Sequence, residues 1–128
     1  MTLFRFLPLA AALAAGAAAA QPADLPKLTL DQETAVRCSA AFAIVSSEQA
    51  RAAPLAAGWP VLGQRGREYF VRTGARLMDE TGATRPQVQA LFARSATELR
   101  GNGGGLAQRL ESLRRPCLSL LDLAVPQR

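Results

Sequence analysis

The stretch that decides the fold is TLDQETAVRCSAAFAIVSSEQA, residues 29–50. Its first residue, Thr29, stands three positions before Gln32, which is the spacing of a helix-capping box. At a helical rotation of ~100° per residue, apolar and small side chains cover two opposite sides. One face carries Thr34, Cys38, Ala41, Phe42, Val45 and Gln49, and the other side carries Val36, Ala40, Ala43 and Ile44. Such a helix is typical of the centre of a bundle, with contact between its second face and another chain as the alternative.

Three further helical patterns follow, and no strand-like alternation runs for more than a few residues. The four predicted helices cover about 30–50, 60–81, 85–100 and 106–124. We therefore predict an all-α fold, a small four-helix bundle-like domain over 29–125. An extended lead-in with two prolines, residues 21–28, precedes it.

Local signals mark the ends of these helices. Pro60 suits the first turn of the second helix, where a proline is tolerated. Gly82 is placed to end that helix in the left-handed conformation. Thr84 and Gln87 repeat the capping-box spacing and open the third helix. Gly66 lies within the apolar stripe of the second helix, which predicts a close helix crossing there.

The first twenty residues have the three parts of a secretory signal peptide. Arg5 is followed by the apolar run 6–15 and by four alanines at 17–20. We expect cleavage before Gln21 and a periplasmic or secreted protein. The run is shorter than the ~20 residues of a membrane span, and we expect no later segment to be apolar enough to cross a membrane.

The two cysteines fit an oxidising compartment. Cys38 lies on the buried stripe of the first helix and Cys117 on that of the fourth. We predict that they form one structural disulfide, because a redox pair usually has the spacing Cys-x-x-Cys.

The composition argues against catalysis. The chain has no histidine, which excludes histidine acid–base chemistry and histidine-ligated zinc or haem. The glycines at 103–105 lack the Lys and Ser/Thr of a phosphate-binding loop. We expect a protein that is not an enzyme and has no metal and no cofactor.

A flank of the second helix carries Arg65, Arg72 and Arg76. Acidic residues stand among them at helical spacings, so the flank is either a solvated ion-pair face or an anion contact. The formal net charge of +5 admits an anionic surface as partner. The composition of a GC-rich genome would also raise the arginine content.

Val71 and Met78 stand together on the second helix, away from its core stripe. Either the connector 51–59 covers this helix, or the two side chains contact an envelope protein or a second copy. We favour partner contact for this pair, with incidental surface exposure of the two side chains as the alternative.

Residues 77–91 resemble a bacterial helix-turn-helix motif. Gly82, Thr84, Val88 and Leu91 occupy its turn and core positions. The resemblance implies DNA contacts by the third helix, from Arg85, Gln87, Gln89 and Arg94. Met78 departs from the motif, which prefers alanine there, and an exported protein does not meet chromosomal DNA. We therefore interpret the match as coincidental.

At the level of the whole chain, the runs 37–44 and 66–72 resemble small exported helical proteins of GC-rich alphaproteobacteria. That group implies no activity. The expected architecture is also similar to that of small periplasmic acid-stress chaperones. We predict an exported, non-catalytic protein that binds a protein or an envelope surface, with a chaperone-like role included. The alternative is a DNA-binding protein, if the N-terminus is not an export signal.

Overall fold

The computed structural model describes residues 24–128, which form four α-helices and a 3-10 turn, without a strand. The elements are α1 (Leu30–Ala50), the 3-10 turn (Pro54–Ala56), α2 (Gly63–Thr81), α3 (Arg85–Arg100) and α4 (Leu106–Ala124). The predicted all-α, four-helix class is confirmed for this part of the chain. The predicted signal peptide, residues 1–20, lies outside the described residues.

Helix α1 is the centre of the bundle. It contacts α2, α3, α4 and the 3-10 turn. Val36, Ala40 and Ile44, on its second side, are buried together with the main stripe. Ala43 differs from the expectation, since it is exposed. The apolar circumference of α1 therefore finds most of its partners within one chain.

Both predicted capping boxes are present. The Thr29 hydroxyl accepts from the Gln32 amide at 3.3 Å, and the Gln32 side chain accepts from the Thr29 amide at 2.9 Å. Thr84 and Gln87 make the same reciprocal pair at the start of α3. Gly82 ends α2 with a φ of 70°, in the left-handed region. These helix ends are fixed by residues within four positions of each other.

The predicted start of the second helix at Pro60 is wrong, because α2 begins at Gly63. The cause is Gln49, a residue of α1. Its side-chain nitrogen donates to the Pro60 carbonyl at 2.7 Å, and its oxygen accepts from the Leu62 amide at 3.2 Å. These two bonds hold 60–62 outside the helix and satisfy a donor at the start of α2.

The connector 51–59 packs on α1 through its 3-10 turn, and that turn makes no comparable contact with α2. The alternative in which the connector covers α2 is therefore not observed. Trp59 is buried with its ring edge-on to Phe42, at a centroid distance of 6.2 Å. Arg114 of α4 donates to the Gly58 carbonyl at 2.7 Å. Anchored to α1 and α4, the connector leaves Val71 of α2 61% exposed.

The main apolar cluster of the core contains the disulfide. Cys38 and Cys117 are bonded, with their Cα atoms 5.3 Å apart, and both are fully buried. Phe42 packs edge-on against Tyr69, with ring centroids 5.1 Å apart. The predicted close crossing is confirmed, since a Cβ on Gly66 would lie 3.7 Å from the Phe42 Cβ.

A second apolar cluster joins α1, the end of α2 and the start of α3. Phe70 and Phe92 are its aromatic pair, with ring centroids 4.2 Å apart. Leu25 and Leu28 of the lead-in pack against it. The lead-in is therefore part of the folded domain from its first described residues.

Candidate functional site

The arginines of α2 serve different purposes. Arg65 donates to the Val125 carbonyl from Nε at 3.0 Å and pairs with Asp122 at 2.7 Å. Arg72 donates to the Ala124 carbonyl at 2.8 Å and to Glu68. Both guanidinium groups thus satisfy carbonyls at the C-terminal end of α4, which favours cations. Arg65 and Arg72 thereby connect α4 to α2. Guanidinium groups that already bind these carbonyls are less available for the predicted contact with an external anion.

Arg76 has a different environment. Its closest acidic contact is from Nε to Glu80 at 3.3 Å, and its terminal nitrogens have no hydrogen bond to the described residues. Glu80 also accepts from the Gln32 side chain at 2.8 Å. Gln32 belongs to the α1 capping box, so the N-terminus of α1 fixes the carboxylate that orients Arg76.

Arg72 and Arg76 line a groove of about 640 Å³ between α1, α2 and α4. The other lining residues are Asp31, Thr34, Ala35, Tyr69, Thr73, Leu120, Leu123 and Ala124. Burial raises the pKa of the Tyr69 hydroxyl, while the nearby Arg76 and a hydrogen bond with Thr73 act in the opposite direction. Arg65 lies outside this groove.

The two side chains predicted to contact a partner, Val71 and Met78, are accessible to solvent. Val71 is 61% exposed and Met78 is 36% exposed. Val71 follows Phe70 and lies one turn after Arg67, both of which line a second cavity of about 420 Å³. Small residues of α1 and α2 form much of this cavity, which is lined by Phe42, Ala43, Ser46, Gly63, Gly66, Arg67 and Phe70.

We call Arg67, Phe70, Val71 and Met78, with this cavity, the outer face of α2. Arg67 makes no ion pair and no side-chain hydrogen bond within the described part of the chain, whereas the other three arginines of α2 all do. Sequence reasoning did not single out Arg67. The available signal was its position one turn before Val71 on the same side of the helix.

The residues that the helix-turn-helix resemblance assigns to DNA are only partly available. The Gln87 side chain completes the Thr84 capping box and donates to the Asp24 carbonyl at 2.7 Å. Arg94 pairs with Glu98 along α3. Arg85 and Gln89 are exposed. Gln87 is therefore engaged within the domain and does not present free amide groups to a base edge.

Sequence reasoning also missed the acidic and apolar walls of the 640 Å³ groove. Tyr69 and Thr73 of α2 are buried, and they also line the groove. Leu123 is 80% exposed. Leu123 lies outside the apolar stripe of the fourth helix, and this position was the one sequence signal for the groove.

Within residues 24–128, no group of three or more potential metal-ligating side chains occurs. None of the helices there is long and apolar enough to cross a membrane. Comparisons with protein-family models, curated proteins and solved structures found no match to this chain.

Proposed function

We propose that the protein is an exported, non-catalytic binding protein whose outer face of α2 contacts another envelope protein. The observation that carries this proposal is the exposure of Val71, at 61%, next to Arg67 and Phe70, which line a cavity. Arg67 forms no ion pair with any residue of 24–128. The sequence of residues 1–20 supports export. The disulfide is compatible with the oxidising compartment that export would provide.

The chemistry of this face defines the partner. Phe70 and Val71 offer apolar contact, and the cavity between α1 and α2 has room for a bulky apolar side chain. Arg67 supplies a cation at the rim, which favours a carboxylate on the partner. We therefore expect a protein segment that carries apolar side chains and at least one aspartate or glutamate.

Photo-crosslinking in the producing cell tests this proposal. We would replace Val71 by a photoreactive benzoyl-phenylalanine in the full chain, irradiate intact cells, and isolate adducts from the periplasmic fraction. The expected result is one discrete adduct with another protein, on a chain whose N-terminal sequence starts at Gln21. A reversal of charge in the same chain, Arg67→Glu, should remove the adduct, and Arg67→Lys should retain it.

The matched control carries the same photoreactive residue at Ser112, an exposed position on α4. Equal adducts from Ser112 and Val71 would indicate random collision and would overturn the proposed interface. The absence of an adduct at Val71 would do the same. A chain that retains Met1 in the cytosol would overturn export and return DNA binding as the first hypothesis.

A further inference from the structure

We propose that the 640 Å³ groove between α1, α2 and α4 binds a zwitterionic aliphatic ligand, an aliphatic amino acid or a short peptide. The inference is independent of the outer face of α2. It rests on three walls of different chemistry. Asp31 lies on the α1 wall, Arg76 on the α2 wall, and Leu120 and Leu123 on the α4 wall.

The α2 wall is suited to a carboxylate. Arg76 uses Nε toward Glu80, at 3.3 Å, and this leaves both terminal nitrogens without a hydrogen bond in the described residues. Two terminal N–H groups of a guanidinium match the two oxygens of a carboxylate. Because the Gln32 side chain holds Glu80 at 2.8 Å, the guanidinium is oriented before a ligand arrives.

The α1 wall is suited to an ammonium group. Asp31 is exposed in the first turn of α1 and makes no ion pair within residues 24–128. Glu33, the other acidic residue of that turn, lines a different cavity, with Arg94 and Glu98. An acidic residue near a helix N-terminus is stabilising by itself. Only Asp31 of the two also faces the groove of Arg76.

The α4 wall supplies apolar contact. Leu123 is 80% exposed, and Leu120 is half-buried beside it. An aliphatic side chain that packs on Leu123 would remove apolar surface from water on both molecules.

The combination of the walls selects the ligand class. A fatty acid would satisfy Arg76 and Leu123 but would leave Asp31 without a cation. A cationic amphiphile would satisfy Asp31 and leave Arg76 without an anion. A molecule with a free ammonium, a free carboxylate and an aliphatic side chain satisfies all three. The groove volume of about 640 Å³ exceeds that of a single amino acid and leaves room for a short peptide.

The test uses leucine and the dipeptide leucyl-leucine as probes, with titration calorimetry on the full mature chain. Tyr69 is the only tyrosine of the protein and lines the groove, so a ¹³C-tyrosine label gives one resonance from the site. We expect saturable binding of the dipeptide and a shift of this resonance. Arg76→Gln and Asp31→Asn should each weaken binding about tenfold or more, the usual cost of losing a charged hydrogen-bond partner.

The matched controls are Arg94→Gln and Glu33→Gln. Arg94 forms the same i,i+4 pair with a glutamate as Arg76, but on α3. Both controls should bind leucyl-leucine as the wild type does. The variants form two matched pairs. Arg76→Gln and Arg94→Gln each lose one exposed ion pair, and Asp31→Asn and Glu33→Gln each lose one carboxylate in the first turn of α1. The two members of each pair should therefore unfold at similar temperatures.

Four further results would overturn the proposal. The first is the absence of saturable binding of both probes at millimolar concentration. The second is equal binding of N-acetyl-leucyl-leucine, which lacks the ammonium group, or of the dipeptide amide, which lacks the carboxylate. Either result would show that the missing charge does not contribute to binding. The third is equal binding of decanoate, which would assign the groove to anionic amphiphiles. The fourth is equal weakening by the two control variants.

Discussion

Gly74 and Gly82 lie eight residues apart, and α2 needs glycine at only one of them. Gly82 has a φ of 70°, a conformation that side chains with a Cβ rarely adopt. Gly74 is in the helix interior, where a Cβ would lie 3.6 Å from atoms of Val88 and Phe92. That distance is ordinary van der Waals contact, so α3 has room for one methyl group there.

We predict opposite effects of alanine at these two positions. Gly74→Ala should raise the free energy of unfolding by roughly 0.5–1 kcal/mol, because glycine disfavours a helix interior. Gly82→Ala should lower it by about 1 kcal/mol, because of the left-handed backbone. Urea unfolding followed by circular dichroism measures both changes. A loss of stability in Gly74→Ala would show that the α2–α3 contact is tighter than the distances indicate.

Arginine provides a second example at the residue scale. Arg65, Arg67, Arg72 and Arg76 are the same residue type on the same helix. The spacing of Arg65, Arg72 and Arg76 among acidic residues predicts a mixed-charge flank. The ion pairs of Arg72 with Glu68 and of Arg76 with Glu80 agree with it. Spacing did not predict that Arg65 and Arg72 reach α4, because those partners are far away in the sequence.

At the scale of helices, the end of α4 depends on α2. The α4 helix has no basic residue in its last turn that could interact with its own carbonyls. Arg65 supplies that interaction from α2 and is itself only partly exposed. The C-terminal carbonyls of α4 thus obtain partners across a helix interface and not from a local cap.

We predict that Arg65→Met frees this end of α4. The methionine keeps much of the aliphatic stem and removes the hydrogen bonds to Val125 and Asp122. The expected loss is about 1 kcal/mol in the free energy of unfolding, the usual net value of such bonds. Amide hydrogen exchange should accelerate in the last turn of α4 and little elsewhere.

The control is Arg67→Met on the same helix, where no hydrogen bond is lost in the described residues. It should leave both the stability and the exchange pattern of α4 unchanged. If the two variants behave alike, then the Arg65 contacts do not hold the end of α4.

At the scale of the whole molecule, the disulfide joins the central helix to the last one, across 79 positions of sequence. The cross-link restricts the unfolded chain more than any local contact can. For a loop of this length, the chain-entropy relation gives about 4.5 kcal/mol of stabilisation. This value is comparable to the whole stability of a small domain, which is roughly 5–15 kcal/mol.

We therefore predict that loss of the bridge brings the domain close to unfolding. The paired variant Cys38→Ala, Cys117→Ala should show a urea midpoint far below that of the oxidised protein. Reduction of the wild type should produce a similar shift. Because both sulfur atoms are fully buried, alkylation after reduction should require unfolding. Equal midpoints for the oxidised protein and the double variant would contradict this prediction.

The sequence by itself determined the elements of this protein. Helical periodicity, two capping boxes and Gly82 act over three or four residues, so α1, α3 and α4 occupy the ranges that their patterns predict. The buried stripes placed Cys38 and Cys117 on facing surfaces. At the start of α2 the local signal failed, because Gln49 of α1 binds the backbone of 60–62.

The tertiary structure alone decided which side chains line the proposed ligand groove. The groove joins Asp31, Arg76 and Leu123, which lie on three helices and share no pattern in the sequence. The contacts of Arg65 and Arg72 with α4 span 60 and 52 positions. Local rules govern neighbours within one helical turn, whereas the meeting of distant side chains depends on how the helices cross. For this reason the sequence predicted helices and a bridge, and the fold determined which charged groups share a groove.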